Sequence, residues 1–250
     1  MKKIFKIIKR ILLGLVLLIV LIALLFWGYS LKAKSEMKLM TPVETQQIVE
    51  NIFSVRDTFV NMYLIKDGDF YIAVDAGNNA DNVIYELKKL KISPEKIIAV
   101  FLTHTDGDHV AAIKYFKNAQ VYLSKKENQL LNGQTSRFLI FGNTIATKEY
   151  LLIEDQQLFN IGNVTLKAML TPGHTPGSMC YLINNKYLFT GDLMSLKAGK
   201  IAPFNKFFNM DTQTSIESMR LITKIPAAEY IFTAHYGFTP DYKKAVKDWK

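Results

Sequence analysis

From Ile11 to Leu31 the chain runs for 21 residues without a charge, most of them Leu, Ile and Val. At a rise of about 1.5 Å per residue, a helix of that length matches a hydrocarbon layer about 30 Å thick, so residues 11–31 are expected to cross a lipid bilayer once. Lys2, Lys3, Lys6, Lys9 and Arg10 precede the segment, and Lys32, Lys34 and Lys38 follow it. This excess on the leading side puts residues 1–10 in the cytoplasm and the rest of the chain outside the cell membrane. Trp27 and Tyr29 suit the interface, no clear small-x-small cleavage site follows them and the apolar stretch is long for a signal peptide, so the helix is expected to remain as an anchor. The formal charge of +9 is concentrated at the same end: residues 1–38 hold eight of the 31 Lys and Arg and one acid, Glu36. Beyond residue 38 the balance is 23 basic against 21 acidic, which leaves no basic stripe for a phosphate backbone, so no nucleic acid is expected as a partner.

Residues 32–50 are polar and mixed and read as a juxtamembrane linker, and residues 51–250 as one domain. Within it, Phe59–Ile65 and Phe70–Val74 are β-rich runs joined by Lys66-Asp67-Gly68-Asp69, the pattern of a hairpin. Helical spacing follows over Asp81–Leu90, then a buried strand over Ile97–Leu102 and a helical period over Val110–Phe116. Further strands are expected at Val164–Leu170, Met179–Ile183, Tyr187–Thr190 and Tyr230–Thr233, with helices at Thr212–Lys224 and Asp241–Trp249.

The chain has four histidines, His104, His109, His174 and His235, each in a turn-like segment just after an apolar strand. His104, Asp106, Asp108 and His109 lie within six residues. Packing two acids and two imidazoles so closely is costly without a cation, because the acids repel one another and their desolvation is uncompensated. His174 sits in Thr171-Pro172-Gly173-His174-Thr175-Pro176-Gly177-Ser178, a loop stiffened by two prolines, and Asp192 and His235 again end strands. The single cysteine, Cys180, supports neither an internal disulfide nor a thiolate zinc cluster, so a metal here would be held by His and carboxylates. Cys180 lies in a strand and reads as a small buried residue.

In this order, Asp75-Ala76-Gly77, the 104–109 cluster, the Pro-Gly-His-Thr-Pro-Gly-Ser segment, Gly191-Asp192 and His235 resemble the motifs of the metallo-β-lactamase superfamily, in particular its glyoxalase II-like and lactonase-like members, over roughly residues 55–237. The resemblance implies an α/β fold, a four-layer αββα sandwich with metals held in loops along one edge of its two sheets, here preceded by one transmembrane helix. It also implies a first metal site of His104, Asp106 and His174, a second of Asp108, His109 and His235, Asp192 bridging them, and Asp75 as support. The pattern departs from His-x-His-x-Asp-His at Asp106, a variant that also resembles nuclease-like domains of some DNA-uptake proteins. A carboxylate in place of an imidazole hardens the first site, so Mn²⁺ or Fe²⁺ gains against Zn²⁺.

Two divalent ions, zinc first among them, would supply hydroxide near neutral pH, with Asp108 orienting the nucleophile and passing its proton on and Asp192 holding both ions. The expected reaction is hydrolysis of an ester, lactone or thioester, in a small-molecule or cell-envelope substrate. Alternatives are a phosphodiesterase with the same site, or an inactive metal-binding module. Phe204, Phe207, Phe208 and Met210 would serve as an apolar mouth or as core. Asn132–Lys148, with Arg137 and the patch Phe138-Leu139-Ile140-Phe141, reads as a lid, a membrane-contacting loop or plain surface packing.

Overall fold

A computed structural model describes residues 2–137 and 141–249. Two compact units divide the chain, Met1–Leu39 and Met40–Lys250.

The first unit is a single helix, α1 (Lys2–Met37), with no buried residue. It is long and apolar enough to cross a membrane. It also runs six residues past the expected end of the span at Leu31, into what the sequence suggests is linker. Lys32, Lys34 and Glu36 are good helix formers, and Lys32 pairs with Glu36 one turn on, which carries the helix forward.

In the second unit the strands form two main sheets. The first comprises β1 (Gln46–Val49), β2 (Ile52–Asp57), β3 (Val60–Asp67), β4 (Phe70–Val74), β5 (Ile97–Phe101), β6 (Gln120–Ser124) and β7 (Tyr150–Ile153), hydrogen-bonded in that order. β1 to β4 are antiparallel, as tight turns require, and β5, β6 and β7 add in parallel through crossovers. The second comprises β8 (Leu158–Ile161), β9 (Val164–Leu170), β10 (Met179–Ile183), β11 (Tyr187–Phe189), β14 (Tyr230–Phe232) and β15 (Phe238–Thr239), in the order β15-β14-β11-β10-β9-β8. A separate hairpin, β12 (Met194–Lys197) with β13 (Lys200–Pro203), stands between β11 and β14 in sequence.

Three apolar cores separate four layers. Val83 and Leu87 of α2 (Ala80–Lys89) pack with Leu64, Ala73 and Val100 on the outer face of the first sheet. Ile72, Phe101, Tyr181 and Phe232 belong to the core between the sheets. Met219 and Ile222 of α4 (Thr212–Ile222), with Tyr242 and Ala245 of α5 (Tyr242–Ala245), pack with Cys180, Leu188 and Ile231 on the far face of the second. The shortest helix, α3 (Asn128–Leu131), leads into the 132–148 segment. Two buried phenols tie the sheets to one another: Tyr63 donates to Thr233 O at 2.8 Å and Tyr181 to Leu102 O at 2.6 Å. Such bonds satisfy polar atoms that would otherwise destabilise the core.

The strands expected from the sequence are present to within a residue or so at most ends. The 110–116 segment is 3₁₀ rather than α, as Gly107–His109 and Ala111–Tyr115, because its backbone bonds back to Ala76 and Gly77. β1, β2, β6, β7, β8, β15 and the β12–β13 hairpin go beyond that reading; β7 buries only Ile153, and β8 buries none of its four residues.

Candidate metal centre

Five strand ends converge on one rim. β4 delivers Asp75, β5 the loop 103–109, β9 the loop 171–178, β11 Asp192 and β14 His235. Asp75 turns there in the left-handed region (φ 63°), which aims its carboxylate along the rim: it accepts from Thr103 N at 2.7 Å and from Thr103 Oγ1, and lies 2.9 Å from His109 Nδ1.

All four imidazoles are buried and show the same polarity. Nδ1 of each meets a different partner: Thr103 Oγ1 for His104 (3.0 Å), Asp75 Oδ2 for His109, Asn209 Oδ1 for His174 (3.2 Å) and Phe59 O for His235 (2.8 Å). Every Nε2 therefore faces the centre. Asp192 stands among them, with Oδ1 at 3.1 Å from His235 Nε2 and 3.5 Å from His109 Nε2, and Oδ2 at 3.5 Å from His174 Nε2. Asp106 Oδ2 lies 3.2 Å from His174 Nε2 and 3.7 Å from His104 Nε2; Asp108 Oδ2 lies 3.5 Å from His235 Nε2 and 3.7 Å from His109 Nε2.

Thus the seven residues singled out from the sequence come together. They form three overlapping groups, His104/Asp106/His174, Asp108/His109/His235 and His104/His109/Asp192, each with ligand atoms within 4.8 Å of one another. His104 Nε2, His109 Nε2 and Asp192 Oδ1 are buried with no hydrogen-bond partner among the described residues. Buried polar atoms are normally paired. A cluster of bare nitrogen and carboxylate donors, each imidazole oriented by a bond on its far side, is the chemistry of a divalent-ion site, so the donor set fits such ions.

The electrostatics point the same way. Burial, reinforced by His109 and His174, holds the His104 imidazole well below its usual range and so neutral. Burial opposes ionisation of Asp106 and Asp192, yet the surrounding imidazoles outweigh it and keep both carboxyls below the usual carboxylate range, with Arg137 also acting on Asp106. His109 is pushed up to about 10, burial being outweighed by Asp108, Asp75 and Asp192. His235 is also raised, by Asp192 and then Asp108, against its burial.

Several residues of the centre were not expected from the sequence. Arg137 donates from Nε to both oxygens of Asp106 and from Nη1 and Nη2 to His174 O and Phe208 O. Asn143 Nδ2 also reaches Asp106 Oδ1, at 2.9 Å. Segment 132–148 therefore has a partner in the centre; of its expected apolar patch, residues 138–140 lie outside the described residues and Phe141 is exposed. The surplus acid at Asp106 is the one sequence signal for a counter-cation, but no spacing rule points 31 residues ahead to it. Buried Glu127 joins the two ligand loops, accepting from Thr105 N and Oγ1 at 2.8 Å and from Thr175 Oγ1 at 2.6 Å. Gly177 lets that loop approach, since a Cβ there would lie 2.0 Å from Glu127 N. Phe204 is buried, its ring 5.3 Å from that of His174 and 5.7 Å from that of His235, while Phe207 and Phe208 are half-buried and Met210 is exposed. Cys180 is fully buried, and burial pushes its thiol up to about 12.

The sequence model of the metallo-beta-lactamase superfamily matches residues 55–235. Among similar proteins, the probable polyketide biosynthesis zinc-dependent hydrolase PksB of Bacillus subtilis (strain 168) is 35% identical over 136 residues, covering 52% of this chain and 53% of PksB. The similarly described BaeB of Bacillus velezensis is 28% identical over 176 residues, covering 69% of this chain and 70% of BaeB. The chain thus matches about half the length of the first and over two thirds of the second. A solved B3 metallo-beta-lactamase with an active-site glutamic acid aligns over 88% of this chain and 90% of its own, with a TM-score of 0.64 at 17% identity, a likeness of fold.

Proposed function

Because the chain belongs to the metallo-beta-lactamase superfamily, we propose that it is a membrane-anchored, metal-dependent hydrolase of an ester, lactone or thioester. The observation that carries this reading is the convergence of four outward-bonded imidazoles on Asp192, with His104 Nε2, His109 Nε2 and Asp192 Oδ1 buried and without a hydrogen-bond partner among the described residues. The donors divide into a first sub-site of His104, Asp106 and His174 and a second of Asp108, His109 and His235, with one Asp192 oxygen turned toward each, so that two ions, zinc first, are accommodated. When bound, such ions supply a Lewis acid and a water that ionises near neutral pH.

The chain's own groups do the rest. Asp75 and Phe59 O fix the rings of His109 and His235 through Nδ1 and so hold their orientation. Asp108 is the more exposed carboxylate of the second sub-site, with a side chain 22% accessible, and from there it orients the attacking water and passes its proton to the leaving group. Phe207, Phe208 and Met210 offer an apolar rim for an acyl group, backed by Phe204 against the His174 and His235 rings. The helix α1 supplies the anchor, and the five basic residues ahead of Ile11 against the three after Leu31 favour a catalytic domain outside the cytoplasm.

The test is turnover of a thioester, lactone, ester and phosphodiester panel by the full-length chain in detergent. Acyl substrates should be hydrolysed, with kcat reduced about a thousandfold or more in Asp192→Asn. Turnover confined to the phosphodiester would replace the acyl reading, and retention of full activity by Asp192→Asn would sink the site assignment.

A further inference from the structure

Asp106 does not stand free to serve an ion. Its Oδ1 accepts from Arg137 Nε at 3.0 Å and from Asn143 Nδ2 at 2.9 Å, and its Oδ2 from Arg137 Nε at 2.9 Å, with Nη2 at 2.7 Å. The same Nη2 lies 3.1 Å from His174 Nε2 and 2.6 Å from Phe208 O. His174 Nε2 also lies 3.2 Å from Asp106 Oδ2, so the guanidinium, the carboxylate and the imidazole nitrogen crowd one point of the first sub-site. Asn209 Oδ1 lies 3.2 Å from His174 Nδ1 and holds the ring from its other side. An ion at the first sub-site would need the His174 Nε2 lone pair and an Asp106 oxygen, the two atoms beside which Arg137 Nη2 lies at 3.1 and 2.7 Å.

The second sub-site is built differently. His109 and His235 are oriented from behind by Asp75 and Phe59 O, which leaves both Nε2 atoms turned toward Asp108 and Asp192. Among the described residues no Lys or Arg pairs with Asp108 or Asp192. Among the described residues the guanidinium thus stands in the first half of the centre.

We propose that Arg137 is a resident cation of the first sub-site and makes the two halves unequal: one divalent ion binds tightly at Asp108, His109, His235 and Asp192, whereas a second binds at His104, Asp106 and His174 only by displacing Arg137 from His174. The proposal rests on the metal-centre reading above and refines it. Arg137 and Asn143, which both grip Asp106, then set the balance between the one-ion and two-ion forms. Asp106 is the reason: the carboxylate that departs from the usual imidazole is what gives the guanidinium its anchor.

Calorimetric titration of the chelator-stripped full-length chain with Zn²⁺, checked by equilibrium dialysis, reads the two affinities without reference to activity. The wild type should take one tight ion and a second at least about tenfold weaker, a difference of about 1.4 kcal/mol in binding free energy. Arg137→Gln should tighten the second ion about tenfold or more. Arg137→Met, which removes the guanidinium but keeps the apolar stem and every metal-ligand candidate, should do the same, so a folding failure of one variant leaves the other to decide. Two equally tight ions in the wild type, or an unchanged second affinity in the folded variants, would overturn the role of Arg137 and leave the metal centre standing. No tight ion in any of the three folded proteins would overturn the metal centre itself.

Discussion

Four histidines do one job with four different supports. A hydroxyl, a carboxylate, a side-chain amide and a backbone carbonyl each take one Nδ1, and the shared result is that every Nε2 faces the centre. Glu127 is the other residue whose surroundings decide its behaviour. Burial raises its carboxyl above the usual carboxylate range, although Thr175 and Thr105 donate to it and partly offset that rise. The unfolded chain then releases this proton at a lower pH than the native one, so in that window the native state binds more protons and loses stability as pH increases. Glu127→Gln keeps an acceptor for Thr105 and lacks this slope. Its melting temperature relative to wild type should therefore rise as the pH increases through and above the usual carboxylate range, as read by thermal unfolding at fixed ionic strength; a difference that is flat with pH would contradict the assignment.

At the scale of elements, the loop carrying His174 is held by contact as close as any in a strand ladder. Gly177→Ala drives a Cβ into the Glu127 backbone, which has no flexible end to give way. The expected cost is about 1–3 kcal/mol, a fall in melting temperature of roughly 2–10 °C for a domain of this size, with weaker metal retention by dialysis because His174 moves with the loop. Unchanged stability and metal content would mean that the loop can be rebuilt elsewhere. This level also marks what a linear chain discloses. β5 and β10 announce themselves as apolar runs because they are buried on both faces, β9 alternates over its first half, and the seven donors follow from their position at strand ends. β7 and β8 are half exposed and stay hidden in the pattern. Arg137 and Glu127 stayed hidden for another reason: their partners lie 31 and 22 residues upstream, and nothing local to either position marks a residue whose role is to hold a distant loop. The extension of α1 to Met37 was missed because apolarity ends where membrane ends, whereas helix propensity continues.

For the whole molecule, the metal centre is also a structural member. It lies between halves of the domain that meet nowhere nearby in sequence, so an ion held there stabilises the folded state and has little affinity for the unfolded one. Exhaustive chelation should lower the melting temperature, and Zn²⁺ at about a thousand times its Kd should restore roughly 4 kcal/mol. Scanning calorimetry of the apo and reloaded protein reads this directly, and coincident transitions would argue against the ion's structural contribution. The phenols of Tyr63 and Tyr181 bear on timing. Each links one sheet to the other, and the donors they bring into line run from residue 104 to residue 235. Contacts so far apart in sequence close late, after the chain has lost most of its freedom. The full donor set is then complete only once the two sheets have docked, so an ion could find all its ligands only in a chain that has already folded.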